Sequence, residues 1–223
     1  MTKLKANYKK QVDPAHYNFK SYVNLERWIS YHVQVWETIR ISKLLKKKSM
    51  KIFLIGLGDG IVSDVLKKIG TKVITMDIDS NLKPDYICAL PKIDIPRKEK
   101  FDCVICCEVL EHVKYTDMEK SLKNISKVSK YAIISVPHVS LSLSLSLKFV
   151  YFKALKYLFS VDLGFREHKF KGQHFWEIGY KGYSYDRFKK SLRKSRLELL
   201  EDFRVKDHPW HHFFILKSKG KYE

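Results

Sequence analysis

Between Lys51 and Asp77 the chain reads KIFLIGLGDGIVSDVLKKIGTKVITMD, and no other stretch restricts the fold as much. A short apolar run enters three closely spaced glycines, a segment of helical spacing follows and stops at Gly70, and a second apolar run ends on an acid. Short apolar runs bounded by glycines are buried strands. A strand, a crossover helix and a second strand lie parallel in one sheet through a right-handed connection. The rhythm then repeats: FDCVICC is a further strand, MEKSLKNISKVS a helix and YAIISVP another strand. The spacing predicts an α/β core over residues of about 50 to 138.

The flanks are different. Residues of about 16 to 48 show aromatic-rich helical spacing and a Lys-rich last turn that suits a helix C-terminus. They form a helical cap over residues 1–48, ahead of a main domain over 49–223. The segment of about 139–182 breaks the strand and helix rhythm and is expected to be an inserted lid. Inside it SLSLSLSL alternates as a strand does, although the pattern leaves strand and helix open. YSYDRFKKSLRKSRLELLEDF then resumes helical spacing, and HHFFILKSK reads as a closing strand.

Lys and Arg outnumber Asp and Glu by 43 to 24 over 223 residues, a formal charge of +19. Such a balance points to nucleic acid, anionic lipid or an acidic substrate. The excess is mostly Lys spread along the chain, with clusters only at KLLKKKSMK and the tail KSKGK, so nucleic acid is not the favoured partner. Three of the four cysteines fall in FDCVICCE, and a strand sends successive side chains to opposite faces whereas zinc needs converging ligands, so buried free thiols are the better reading. Buried free thiols, with no signal peptide at the N-terminus, imply a reducing, cytoplasmic setting. VSLSLSLSLKFVYFKALKYLFSV is interrupted by serines and by Lys148, Lys153 and Lys156, so no transmembrane segment is expected. As an amphipathic docking surface 147–159 is imperfect, because Phe149 and Phe152 fall within the arc of its lysines.

Gly56, Gly58 and Gly60 follow a strand and open a helix, where backbone N–H groups can approach a ligand without a Cβ in the way. Asp77 ends the next strand, where an acid can accept both ribose hydroxyls of an adenosine-containing cofactor. The spacing G-x-G-x-G differs from the dinucleotide pattern. From KIFLIGLGDG through TMDID and FDCVICCEVLEHV to AIISVPH, the chain resembles the class I S-adenosylmethionine-dependent methyltransferases. The resemblance implies a Rossmann-like seven-stranded sheet with a late antiparallel hairpin and S-adenosyl-L-methionine as cofactor. It places the methionine moiety near Gly56 and Gly58 and the ribose on Asp77, with Gly60, Ile78 and Cys107 completing the cofactor set. Two positions depart from the pattern: Leu54 stands where many members carry an acid, and ICAL offers only Cys88 and Ala89 near the adenine. Backbone contacts then carry more of the binding, and a noncatalytic adenosine-binding or interaction module is the alternative that these positions permit.

The next block contains CCEVLEH. On a helix, Glu108, Glu111 and His112 sit at i, i+3 and i+4 and share one face. Downstream, EHKFKGQHFWEIGYKGYSYDRF supplies His168, His174 and Glu177. E-x-x-E-H followed by G-x-H-x-W resembles ubiquinone-pathway O-methyltransferases and the small-RNA 2′-O-methyltransferases. That resemblance implies a divalent cation held by Glu108, Glu111, His112 and His174. Two carboxylates and two imidazoles suit Mn²⁺, Fe²⁺ or Zn²⁺ better than Mg²⁺. The alternative is a pocket wall with no metal. Glu111 and His174 are expected at the reacting centre, as is His138, which follows Pro137 at a strand end where substrate is contacted. His211 and His212 are adjacent and would point to opposite faces of a strand, which does not suit a metal site. The expected activity is methylation of a hydroxyl on a small molecule or glycan, with an RNA ribose as the rival acceptor.

Overall fold

The computed structural model describes residues 23–96, 98–152 and 154–220. Helix α1 (Leu25–Leu45) starts where the Asn24 side chain accepts from the Arg27 N–H at 2.9 Å and ends at Lys46, which turns left-handed at φ 53°. The part of the expected N-terminal helix before residue 23 lies outside the described residues.

Seven strands form the central sheet: β1 (Lys51–Ile55), β2 (Lys72–Asp77), β3 (Tyr86–Ile87), β4 (Phe101–Cys107), β5 (Ser129–Pro137), β8 (Leu197–Val205) and β9 (His208–Ser218). Their order is β3-β2-β1-β4-β5-β9-β8, parallel up to β5, with β9 antiparallel to both neighbours. The late antiparallel hairpin is therefore present. Strand order reverses between β1 and β4, and a crevice at such a reversal is where open α/β sheets bind ligands.

Helices α2 (Ile61–Lys68), α3 (Tyr115–Val128) and α4 (Tyr185–Lys194) complete the sandwich with α1. Ile52, Leu54 and Ile105 pack with Tyr31 and Ile41 of α1 and Leu66 of α2, whereas Phe53, Val104 and Ile134 pack with Leu122 of α3 and Phe188 of α4. Covering both faces explains why the strands read as unbroken apolar runs. Cys103 and Cys106 are buried free thiols on opposite faces of β4.

The inserted segment divides in two. SLSLSLSL is strand β6 (Ser140–Leu147), paired antiparallel with β7 (Leu155–Asp162) as a separate two-stranded arm. The chain then returns to the body rather than continuing as lid. Val139 and Ile178 exchange backbone hydrogen bonds with Ile178 and Pro137 at 2.8 and 3.0 Å, and Trp176 and Ile178 are wholly buried. Of the expected lid over 139–182, the part around Trp176–Gly179 is thus packed into the body.

Candidate active site

The crevice at the ends of β1, β2 and β4 is a cavity of about 340 Å³, walled among others by Gly56, Gly58, Asp77, Ile78 and Cys107. Gly56 has φ +84°, and a Cβ there would lie 2.4 Å from Val109 Cγ2, so the turn requires glycine sterically and conformationally. Gly60 has φ +80° and is the N-cap of α2, set outside the cavity wall. Asp77 accepts the Leu57 N–H at 2.7 Å on Oδ2 and the Asp79 N–H at 2.9 Å on Oδ1. Two charge-assisted bonds fix the carboxylate and leave further lone pairs for a ligand.

Helix α1 supplies a wall that the sequence did not mark as part of the site. Arg27, Ser30, Tyr31 and Gln34 line the cavity, with the Tyr31 hydroxyl donating to Asp59 between Gly58 and Gly60. Leu54 stands in the wall, as do Cys88 and Ala89.

Residues 108–112 do not form the expected helix. Glu108 adopts φ +53°, and only Leu110–His112 winds, as a single 3-10 turn. The backbone reversal sends Glu108 away from Glu111. Its Oε1 accepts from the Ser135 hydroxyl at 2.7 Å, and its Oε2 lies 3.4 Å from His211 Nε2. Burial raises the Glu108 carboxyl to about 8 and lowers His211 to about 3. Both line the cavity, and His211 Nδ1 pairs with Ser30 Oγ at 3.1 Å.

Among the described residues, Glu111, His112 and His174 form a group whose ligand atoms all lie within 4.8 Å of one another. Glu108 is outside that group, so the expected four-ligand set reduces to three. The meeting of two distant segments has a clear cause. Phe175 N–H donates to Glu111 O at 2.8 Å and Trp176 Nε1–H donates to Val113 O at 3.1 Å, pinning 173–176 on the turn. His112 Nδ1 pairs with Gln173 O at 3.2 Å and His174 Nδ1 with Glu177 Oε1 at 2.7 Å. Each imidazole is thereby oriented through one ring nitrogen, the outer-shell arrangement typical of metal-binding histidines. Glu111 is 1% exposed, and its Oε2 has no hydrogen-bond partner among the described residues. Burial, then the Glu108 charge, pushes its carboxyl well up, while burial and His174 lower His112 to about 4. A cation would remove the first cost, and the lowered His112 imidazole is a ready ligand. The donor set fits a divalent metal.

His138 lies away from the cavity. It is 5% exposed, is not in the cavity wall, and has both ring nitrogens engaged: Nε2 with Asp162 and Nδ1 with His212 Nδ1, each at 2.8 Å. Its bond to Asp162 anchors the β6–β7 arm. His212 also pairs with Asp202 at 2.9 Å, so His211 and His212 do face opposite ways. His168 packs edge-on against Tyr180, outside the Glu111, His112 and His174 group.

Residues 36–208 match the family model for the methyltransferase domain. A ubiquinone biosynthesis O-methyltransferase of Pelagibacter ubique is 30% identical over 96 residues, 37% of this chain and 39% of that protein. The mitochondrial ubiquinone biosynthesis O-methyltransferase of Homo sapiens is 33% identical over 98 residues, 36% of this chain and 26% of that protein. The match thus spans well under half the length of either relative. The N-methyltransferase NodS of Bradyrhizobium japonicum, solved with S-adenosyl-L-homocysteine, superposes with a TM-score of 0.56 at 11% identity, over 88% of this chain and 89% of that chain. The chain belongs to the methyltransferase domain family and has the fold of the class I S-adenosylmethionine-dependent methyltransferases.

Proposed function

We propose that this methyltransferase transfers the methyl group of S-adenosylmethionine to a hydroxyl of a small molecule or glycan, assisted by a divalent cation. The observation that carries the proposal is Glu111: a wholly buried carboxylate with an unpartnered oxygen, beside two imidazoles already oriented by Gln173 O and Glu177. Both curated relatives are named for O-methylation, which favours oxygen over nitrogen as the acceptor atom.

S-adenosylmethionine supplies an electrophilic methyl on a positively charged sulfur. A divalent cation on Glu111, His112 and His174 would supply positive charge that makes an acceptor hydroxyl more acidic. The chain's own residues do the rest. Asp77, held by two backbone N–H groups, orients the ribose, and the glycine loop lets the backbone approach the methionine moiety. Glu108, with His211 behind it, takes the acceptor proton as the oxygen lone pair forms the new O–C bond and the C–S electrons return to sulfur. A carboxyl poised at about 8 is suited to that step near neutral pH.

The test incubates the purified chain and S-adenosylmethionine with phenolic, catecholic, sugar and amine acceptors, and measures S-adenosylhomocysteine release. Turnover on a hydroxyl acceptor should vanish on chelation and return with Mn²⁺, Fe²⁺ or Zn²⁺. Glu111→Gln and His174→Ala should lose it while cofactor affinity stays within about threefold, or ~0.65 kcal/mol. Turnover that survives exhaustive chelation refutes the cation, and a preference for amines refutes the oxygen acceptor. The charge of +19 favours an RNA ribose as a second reading. Affinity for RNA would fall steeply with ionic strength, whereas small-molecule affinity would hardly change.

A further inference from the structure

The β6–β7 arm is amphipathic with its faces reversed. Its polar side makes the contacts to the body, with Ser144, Ser146 and Ser160 of that side still exposed: Asp162 meets His138 at 2.8 Å, Ser142 Oγ accepts from Arg204 at 3.3 Å, and Lys156 pairs with Asp207. Strand alternation then forces every residue of the other register outward. Those residues are all aliphatic or aromatic, in cross-strand pairs from Leu141–Val161 to Leu147–Leu155, and each is 45–71% exposed. The tip continues the surface, since Phe149, Val150, Tyr151 and Phe152 are 60–94% exposed. A contiguous apolar patch of this kind marks a surface that something covers. Alternation that looked imperfect on a helix is complete on a hairpin, because Phe149 and Phe152 belong to the turn.

The charges around it select the occupant. Residues 139–171 carry six Lys and Arg against Asp162 and Glu167. Lys148 is exposed next to the aromatic tip, and the following loop interleaves exposed Phe165 and Phe170 with exposed Arg166, Lys169 and Lys171. A second copy would bring the same positive fringe against this one, and both chains carry +19. An anionic bilayer takes both features, with aromatic and aliphatic groups entering the interface while lysines remain at the headgroups. We propose that the β6–β7 arm docks the protein on an anionic lipid bilayer.

The experiment is vesicle co-sedimentation of the full chain, which needs neither methyl donor nor acceptor and is independent of the methyl-transfer reading. Phosphatidylcholine vesicles with about one third phosphatidylserine should retain the protein, and pure phosphatidylcholine should do so about tenfold less well. Phe149→Ser with Phe152→Ser, and separately Leu143→Ser with Phe159→Ser, should each lower partitioning about tenfold. Circular dichroism melting and S-adenosylmethionine affinity should stay unchanged, since these side chains leave the body of the fold untouched. In the unsubstituted chain, vesicles should protect amides 140–162 from hydrogen exchange, a readout that depends on no variant. Three results overturn the proposal: no vesicle binding, binding that both apolar variants leave intact, or a dimer that the same variants dissolve in a chain that ignores vesicles.

Discussion

Gly56→Ala separates conformational strain from steric overlap at the mouth of the cofactor cavity. At φ +84° a Cβ costs about 1–2 kcal/mol through backbone strain alone. The same Cβ would sit 2.4 Å from Val109 Cγ2, far inside contact distance, and relieving such overlap adds about 1–3 kcal/mol. The single variant should therefore lose about 2–5 kcal/mol in urea unfolding. Val109 Cβ is 3.7 Å away, ordinary contact, so only the γ-methyl creates the conflict. Val109→Ala removes that methyl at a cost of about 1 kcal/mol for a half-buried site. The double variant should be less destabilised than the sum by about 1–3 kcal/mol, while the strain component remains. Calorimetry with S-adenosylmethionine should show weaker binding in Gly56→Ala and partial recovery in the double variant. Costs that add to within about 0.5 kcal/mol would show that Val109 moves aside freely and refute the steric half of this account.

Three further outcomes can be measured. Glu108 is raised by burial to about 8 from its ordinary 4.5, so the folded state binds the extra proton in that window and stability falls as pH rises through it. The lowered histidines His112 and His211 act oppositely, but only below 6.5, so in metal-free protein the fall should be clear between pH 6.5 and 8 and shallower in Glu108→Gln. Glu177→Ala should weaken cation affinity by about 10–100-fold by freeing the His174 ring, and an unchanged affinity by calorimetric titration would remove Glu177 from the site. Trp176→Ala should cost about 3–5 kcal/mol in chemical denaturation, since its indole is wholly buried and its N–H holds Val113 O; a loss under 1 kcal/mol would contradict the core role.

What was legible in the sequence was local. A glycine loop between apolar runs and an acid ending the second strand are set within about thirty residues, and the sheet follows from the rhythm of its strands. CCEVLEH was misread as a helix face because Glu108 turns left-handed, a conformation tied to its N–H reaching Ser135 O at 3.0 Å on the neighbouring strand. The spacing of Glu111 and His112 survived the error because a 3-10 turn also keeps neighbours close. His211 went unrecognised because antiparallel insertion of β9 beside β5 brings it to the cavity, and nothing near it in sequence signals that register. SLSLSLSL announced alternation but not which face meets the protein; Arg204, Asp207 and His138, all distant in sequence, decide that.

The wall supplied by α1 divides the cavity by origin. Gly56, Asp77 and Cys107 form its floor, and they lie inside the stretch of 36–208 shared with the methyltransferase domain family. Ser30, Tyr31 and Gln34 form its roof, ahead of that stretch. A truncation at the boundary expected at 48/49 would remove that roof together with the Tyr31 and Ile41 packing on which β1 and β4 rest. Grafting another helix onto the same sheet would exchange the roof without rebuilding the floor.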